Sequence, residues 1–170
     1  FKSLCLSVLE SSSQVWSPQS KVNVQLLESV QRSMTRYILN CDDVSYTERC
    51  FILNILPLSF RREIADLLSV FKQLHGLSSV NFTREISSSV SSNNAFILSR
   101  PHVRTESFIS MYFNRIVHLW NILPASCRSC TNFSTFKSSL LLIYHNKLPN
   151  YDVFNSCTWT STCRCNGFYH

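Results

Sequence analysis

The chain has only two glycines in its 170 residues, and this scarcity limits the folds that it can adopt. Tight hairpin turns need positive φ angles, which glycine adopts most readily, and glycine-rich loops are a common cradle for nucleotide phosphates. A sandwich or barrel built from tight hairpins is therefore not expected, and neither is a glycine-rich phosphate loop. Hydrophobic residues make up 45% of the chain, which is enough for a folded core.

Apolar residues recur at helical spacing in several segments, which predicts a mainly α fold. The clearest amphipathic helix is predicted over residues 19–39, and we expect its apolar side to face the core. That apolar side consists of Val22, Leu26, Leu27, Val30, Met34, Tyr37 and Ile38. Three further helices are predicted over residues 1–13, 46–54 and 59–75.

Local signals mark the ends of two of these helices. Ser45 and Glu48 fit a capping box, and Gly76 fits the position just after a helix. Arg61 and Arg62 stand in the first turn of the last of these helices, where the helix dipole favours acidic residues. An external phosphate at this helix N-terminus would relieve that mismatch.

The predicted elements fall into four parts. Residues 1–76 form a helical bundle, and residues 77–94 form a Ser/Asn-rich loop. Residues 95–148 form a smaller basic module with a short extended segment followed by two helices. Residues 149–170 form an irregular tail that contains cysteines.

Positive charge is concentrated in the second half of the chain. The net charge is +6, and residues 86–170 carry seven Lys/Arg against two Asp/Glu, whereas residues 1–85 carry nine against eight. In the second half, Arg100, His102 and Arg104 alternate, which places all three on one side of an extended segment. This arrangement suits contacts to a phosphate backbone, and the alternative is a solvated edge protected from aggregation by charge.

The eight cysteines are interpreted as thiols in a reducing compartment, because the chain is too large and too rich in core residues for a disulfide miniprotein. Cys127, Cys130, Cys163 and Cys165 are zinc candidates, since thiolates suit tetrahedral zinc. Only the first pair has the spacing of a zinc knuckle, and no cofactor is expected.

Two other features have ordinary structural interpretations. Asp42 and Asp43 form an aspartate pair of the type that binds Mg²⁺ in nucleotidyl transfer, but they follow a predicted helix rather than a strand and are interpreted as a loop between helices. Trp16, Trp120 and Tyr112 have aromatic rings able to stack on bases, yet aromatic residues at helical spacing are more often in the core. No apolar run approaches the ~20 residues of a membrane helix.

Several short segments, in order over residues 1–145, match a known pattern. They are Phe1-Lys2-Ser3-Leu4, Val15-Trp16-Ser17-Pro18, Leu27-Glu28-Ser29-Val30-Gln31-Arg32 with Thr35-Arg36, Ser45-Tyr46 with Glu48-Arg49, Leu56-Pro57-Leu58 with Arg61-Arg62, Asp66-Leu67 with Phe71-Lys72, Arg104, Phe113 with Arg115, Leu119-Trp120-Asn121 with Leu123-Pro124, and Phe133 with Phe136-Lys137. This order resembles the region that follows the palm domain in LINE-type (non-LTR) retrotransposon reverse transcriptases. The family's EYAS motif is replaced here by Glu10-Ser11-Ser12-Ser13.

The resemblance implies a thumb-like bundle and a C-terminal extension that clamp template and primer. It also implies that the catalytic palm precedes Phe1, so the chain alone is not expected to be an enzyme. The expected function is non-catalytic, sequence-tolerant binding of RNA or DNA duplexes in the nucleus or cytoplasm, with the upstream palm as a second partner. The expected phosphate contacts are Arg32, Arg36, Arg61, Arg62, Arg100, His102, Arg104 and Arg115.

Two alternatives remain open. The chain could be a co-opted protein–protein interaction module that docks through an apolar helix face, and exposure of Leu26, Val30 and Met34 would favour it. It could also be a decayed relic without function.

Overall fold

The computed structural model of the chain describes residues 6–11, 13–16, 18, 20–40, 43–78, 87–91, 94–99 and 112–151. Within them the fold is mainly helical, which confirms the predicted fold class. The helices are α1 (Ser7–Glu10), α2 (Ser13–Trp16), α3 (Lys21–Leu39), α4 (Tyr46–Ile52), α5 (Leu58–Leu74), α6 (Tyr112–Ile122), α7 (Ala125–Arg128) and α8 (Phe133–Lys147). A 3₁₀ turn, Leu148–Asn150, follows α8.

The predicted helix ends are present. The backbone N–H of Glu48 donates to the Ser45 hydroxyl at 3.2 Å, and the backbone N–H of Ser45 donates to the Glu48 carboxylate at 2.9 Å, which completes the capping box of α4. Hydrogen bonds from the side chain and backbone of Ser45 lower the pKa of Glu48. After α5, Gly76 has φ +66°, and Leu77 N–H donates to Lys72 O at 2.7 Å, as in a Schellman cap.

Two short strands form an antiparallel hairpin. In β1 (Ser87–Val90) and β2 (Phe96–Ser99), Ser87 pairs with Ser99 and Val90 with Phe96. The prediction of a continuous loop over 77–94 therefore does not hold for β1, because a serine-rich segment can form backbone ladder hydrogen bonds without apolar side chains. The rest of the predicted extended segment, residues 100–109, lies outside the described residues.

Contacts divide the chain into two compact units. Unit 1 comprises residues 1–11, 18–62 and 142–170, and unit 2 comprises residues 12–17 and 63–141. These limits differ from the predicted boundaries after residues 76 and 94, because most of α5 has its contacts in unit 2.

Aromatic rings form the core of unit 1. The Phe60 ring centroid lies 5.2 Å from that of Tyr144 and 5.0 Å from that of Tyr151, in edge-to-face arrangements that favour aromatic pairs. Tyr46 packs beside Tyr151 at 5.9 Å. All four of these side chains are buried, so α4, the start of α5 and the end of α8 share one apolar cluster.

Unit 2 has its own core around Phe71. The Phe71 ring stacks on Phe136 at 4.4 Å between centroids, and Trp120 packs against Phe136 at 5.5 Å. Leu67 is fully buried, as are Phe71, Trp120 and Phe136. Phe51, in the predicted helix over residues 46–54, is 76% exposed and belongs to unit 1, so it is not part of this core.

Candidate nucleic-acid interface

Helix α3 buries a polar face. Glu28, Gln31 and Thr35 are 4%, 0% and 0% exposed, whereas Leu26 and Tyr37, which were predicted to face the core, are 61% and 81% exposed. The predicted orientation of this helix is therefore wrong. The physical reason is that α4 and α5 supply hydrogen-bond partners to the Glu28 carboxylate, to Nε2 of Gln31 and to the Thr35 hydroxyl, and these bonds offset the cost of burying the polar groups.

The Glu28 carboxylate is the centre of these contacts. It accepts hydrogen bonds from Leu58 N–H at 2.9 Å, from Ser59 N–H at 3.1 Å and from the Tyr46 hydroxyl. Leu58 and Ser59 open α5, where backbone N–H groups have no partner within the helix. Glu28 therefore supplies the negative charge that the first turn of α5 lacks, and an external phosphate is not required there.

Gln31 extends this network. Its Nε2 donates to the Tyr46 hydroxyl and to the backbone oxygen of Leu56, both at 3.0 Å. The Tyr46 hydroxyl thus accepts from Gln31 and donates to Glu28. Burial, together with the nearby Glu28 carboxylate, raises the pKa of Tyr46 well above its ordinary value, so the phenol stays protonated and holds α4 against α3.

The outward surface of α3 carries two of the predicted phosphate contacts. Arg32 and Arg36 are exposed and stand four residues apart, which places them on neighbouring turns of one side. The guanidinium carbon of Arg32 lies 4.8 Å from the Tyr46 ring centroid. Glu28 is the acidic residue of α3 and it is buried, so the exposed surface of this helix is cationic.

Arg61 and Arg62 have internal partners instead. Arg61 forms an ion pair with Glu10, and both side chains are partly exposed. Arg62 is buried, and its Nη2 donates to the backbone oxygen of Leu9 at 3.1 Å. A buried guanidinium cannot reach a phosphate in this conformation, so Arg62 is withdrawn from the proposed contacts, and it joins the start of α5 to α1.

In unit 2, Arg115 pairs with a buried carboxylate. Its Nε and Nη2 donate to Asp66 Oδ2 at 3.0 and 2.7 Å. The Asp66 side chain is 3% exposed and that of Arg115 is 16% exposed. Because this guanidinium neutralises a buried charge, its primary role is to join α5 to α6 rather than to contact a polyanion.

Arg100, His102 and Arg104 lie outside the described residues. Their alternating pattern stays a prediction from the sequence. The structure thus places Arg32 and Arg36 together on an exposed surface and gives Arg61, Arg62 and Arg115 internal partners.

Side chains of α6 and α7 bind the outer edge of β2, an arrangement that the sequence analysis missed. Asn121 accepts from Leu98 N–H at 3.1 Å and donates to Leu98 O at 2.8 Å, as a neighbouring strand would. Trp120 Nε1 and Arg128 Nη1 donate to Phe96 O at 3.0 and 3.1 Å. Trp120 is fully buried, which agrees with a core role rather than base stacking.

Two of the four zinc candidates, Cys127 and Cys130, lie in the described part of the chain. Cys127 is buried, and burial raises the pKa of its free thiol to about 11. Cys130 Sγ lies 3.4 Å from the backbone oxygen of Ser126. In the part of the chain that the structure describes, no three potential ligands cluster. Cys163 and Cys165 lie outside that part.

Comparison of the chain with protein-family models, curated proteins and solved structures finds no match. In the described ranges, none of the helices combines the length and apolar character that crossing a membrane requires.

Proposed function

We propose that this chain is a non-catalytic, nucleic-acid-binding region of a reverse transcriptase of the LINE type, and that it holds template–primer duplexes through phosphate contacts. The ordered sequence segments and the net charge of +6 support the proposal. In this proposal the polymerase chemistry belongs to an upstream palm domain, and the region works in the nucleus or cytoplasm. Primer extension by this chain alone, with Mg²⁺ and dNTPs, is expected to show no incorporation.

One structural observation carries the proposal. Arg32 and Arg36 are exposed on the same side of a 19-residue helix whose acidic residue is buried. Two guanidinium groups on neighbouring turns of one helix can donate to successive phosphates.

The surroundings of Arg32 reduce the entropy that it loses on binding. Its guanidinium rests on the ring of Tyr46, and the hydroxyl of that ring is held by Glu28 and Gln31. Stacking on an aromatic face keeps the cation near one position while leaving its N–H groups available to oxygen atoms. Contacts of this kind position a duplex but do not distinguish sequences, so the proposed binding is sequence-tolerant.

The test uses fluorescence anisotropy with RNA–DNA and DNA duplexes of about 20 base pairs, each in two unrelated sequences. At 3.4 Å per base pair such a duplex is about 68 Å long, more than twice the length of α3. The Arg32→Ala/Arg36→Ala variant is expected to weaken binding to all of them by a similar factor, about tenfold. The matched control is Lys72→Ala/Lys137→Ala, which removes two exposed cations from unit 2.

The control variant distinguishes binding at the exposed surface of α3 from nonspecific attraction by the net positive charge of the chain. The proposal expects the control variant to bind more tightly than the Arg32→Ala/Arg36→Ala variant. Equal losses in the two variants would assign binding to net charge alone and overturn the α3 interface. Absence of parent binding at low salt would overturn the proposed function and favour a relic.

A further inference from the structure

The exposed surface of α3 also carries a row of apolar side chains, here named the α3 apolar face. Its members are Val22, Leu26, Val30 and Tyr37, which are 63%, 61%, 41% and 81% exposed. At 100° per residue they fall within a sector of about 80°. Four large apolar side chains in one exposed row are more than scattered surface residues and mark a contact surface.

This face is not needed for the packing of unit 1. The opposite side of α3 already contacts α4 and α5 through Glu28, Gln31 and Thr35, which are buried. Rotating α3 to bury its apolar side would expose the network that caps α5. The apolar face therefore remains outward in the folded unit.

Charge beside the face indicates what it contacts. Arg32 and Arg36 border it on one side, and the exposed surface of α3 carries no acidic residue. A second copy of the chain would bring only like charges to this border, which disfavours a symmetric α3–α3 contact. Phosphate groups would pair with the arginines but would leave Leu26 and Val30 against charged oxygen atoms.

We propose that the α3 apolar face is a docking surface for an amphipathic helix of a partner protein, whose apolar side is bordered by Asp or Glu residues. The apolar rows of the two helices pack together, and the acidic border pairs with Arg32 and Arg36. This inference goes beyond the proposed nucleic-acid binding, which uses the arginines but not the apolar row.

The experiment uses two synthetic helical peptides of about 20 residues, long enough to span α3, with the same leucine row. One peptide has glutamates along the border of that row, and the other has lysines. By fluorescence anisotropy the glutamate peptide is expected to bind the parent chain at least tenfold more tightly than the lysine peptide. Leu26→Ser is expected to weaken the glutamate peptide about tenfold, and Arg36→Ser to reduce its advantage over the lysine peptide.

The matched control is Leu142→Ser, because Leu142 on α8 is 64% exposed and Leu26 is 61% exposed. The control is expected to keep the parent affinity, and both variants are expected to fold because both positions are exposed. Duplex binding is measured on the same variants and is expected to be unaffected by Leu26→Ser. Loss of duplex binding in Arg32→Ala/Arg36→Ala tests the proposed function separately.

Four results of the peptide and duplex titrations would overturn the docking proposal. They are failure of the glutamate peptide to bind, equal binding of both peptides, an equal loss in Leu142→Ser, and a loss of duplex affinity in Leu26→Ser as large as the loss of peptide affinity. A parent dimer in sedimentation equilibrium that Leu26→Ser dissociates would instead assign the face to a second copy, and would also overturn it.

Discussion

The carboxylate of Glu28 accepts a hydrogen bond from the backbone N–H of Leu58 at 2.9 Å, across 30 positions of sequence. An acid from α3 thereby fills the place that a capping side chain would have at the start of α5. This contact explains how α5 begins without an acidic residue in its first turn, although Arg61 stands in that turn and Arg62 directly follows it. The sequence-based expectation of an external phosphate at this point is replaced by an internal carboxylate.

Glu28→Gln is expected to destabilise the chain by about 2 kcal/mol, because charged hydrogen bonds to buried donors contribute about 1.5–3 kcal/mol. The amide keeps the size of the side chain but loses its charge and turns a donor toward other donors. Urea denaturation measures the change in the free energy of unfolding. Asp43→Asn removes an exposed carboxylate and is expected to change stability by less than about 0.5 kcal/mol. Equal small changes in both variants would contradict the capping role.

For the Asp66–Arg115 pair in unit 2 we expect a larger loss of stability. Arg115→Met keeps the apolar stem but leaves a nearly buried carboxylate without its cation, which costs about 3–5 kcal/mol. Adding Asp66→Asn removes the stranded charge, so the double variant is expected to lose less than the sum of the single losses. Additive losses in thermal unfolding would show that the two side chains are not coupled.

Substitution of Leu67 tests whether this side chain belongs to the core of unit 2. Leu67→Ala is expected to destabilise by about 2–5 kcal/mol, since the side chain is 0% exposed and its removal leaves a cavity. Leu142→Ala, at a position 64% exposed, is the matched control and is expected to change stability by less than about 0.5 kcal/mol. A loss below about 0.5 kcal/mol for Leu67→Ala would place this residue outside the core.

We expect the chain to lose stability in acid because of the environment of His75. Its ring stacks on Phe71 at 4.1 Å and meets the Phe96 ring edge-on at 5.5 Å, and its Nε2 finds no hydrogen-bond partner among the described residues. Burial lowers the pKa of His75, so below about pH 6.5 the unfolded chain binds more protons than the folded one. The free energy of unfolding is therefore expected to fall as the pH falls through this range.

The measurement compares urea denaturation at pH 7.5 and pH 5 for the parent and for His75→Gln. The variant is expected to lose less stability between the two pH values than the parent does. Identical pH dependence in the parent and in His75→Gln would contradict the role of His75.

Helix ends were predictable because their signals are local. The Ser45–Glu48 capping box and the Gly76 stop depend on residues within one or two turns, and the structure confirms both. The orientation of α3 was not predictable from its periodicity, because the apolar row and the polar row are both continuous. Only the donors of α4 and α5, distant in sequence, decide that the Glu28 side is buried.

The candidate site was predictable only in part. The resemblance and the basic charge of the chain led to Arg32 and Arg36 as expected phosphate contacts, and the structure leaves both on an exposed surface. The same arguments could not separate them from Arg115, because the partner of Arg115 is 49 positions away and its depth in the fold is a tertiary property. The pairing of Asn121 with the edge of β2 has no local sequence signal of any kind.

The dependence of duplex binding on salt tests the central claim most directly, because phosphate contacts release counterions in proportion to their number. If about four phosphates are neutralised, the slope of log K against log salt on B-DNA is expected to be about −3.6. Arg100→Ala/Arg104→Ala is expected to flatten the slope by about two contacts and to weaken all sequences alike. Coincident slopes for parent and variant would make the 100–104 segment a solvated edge, and a parent slope near zero would contradict nucleic-acid binding through phosphates.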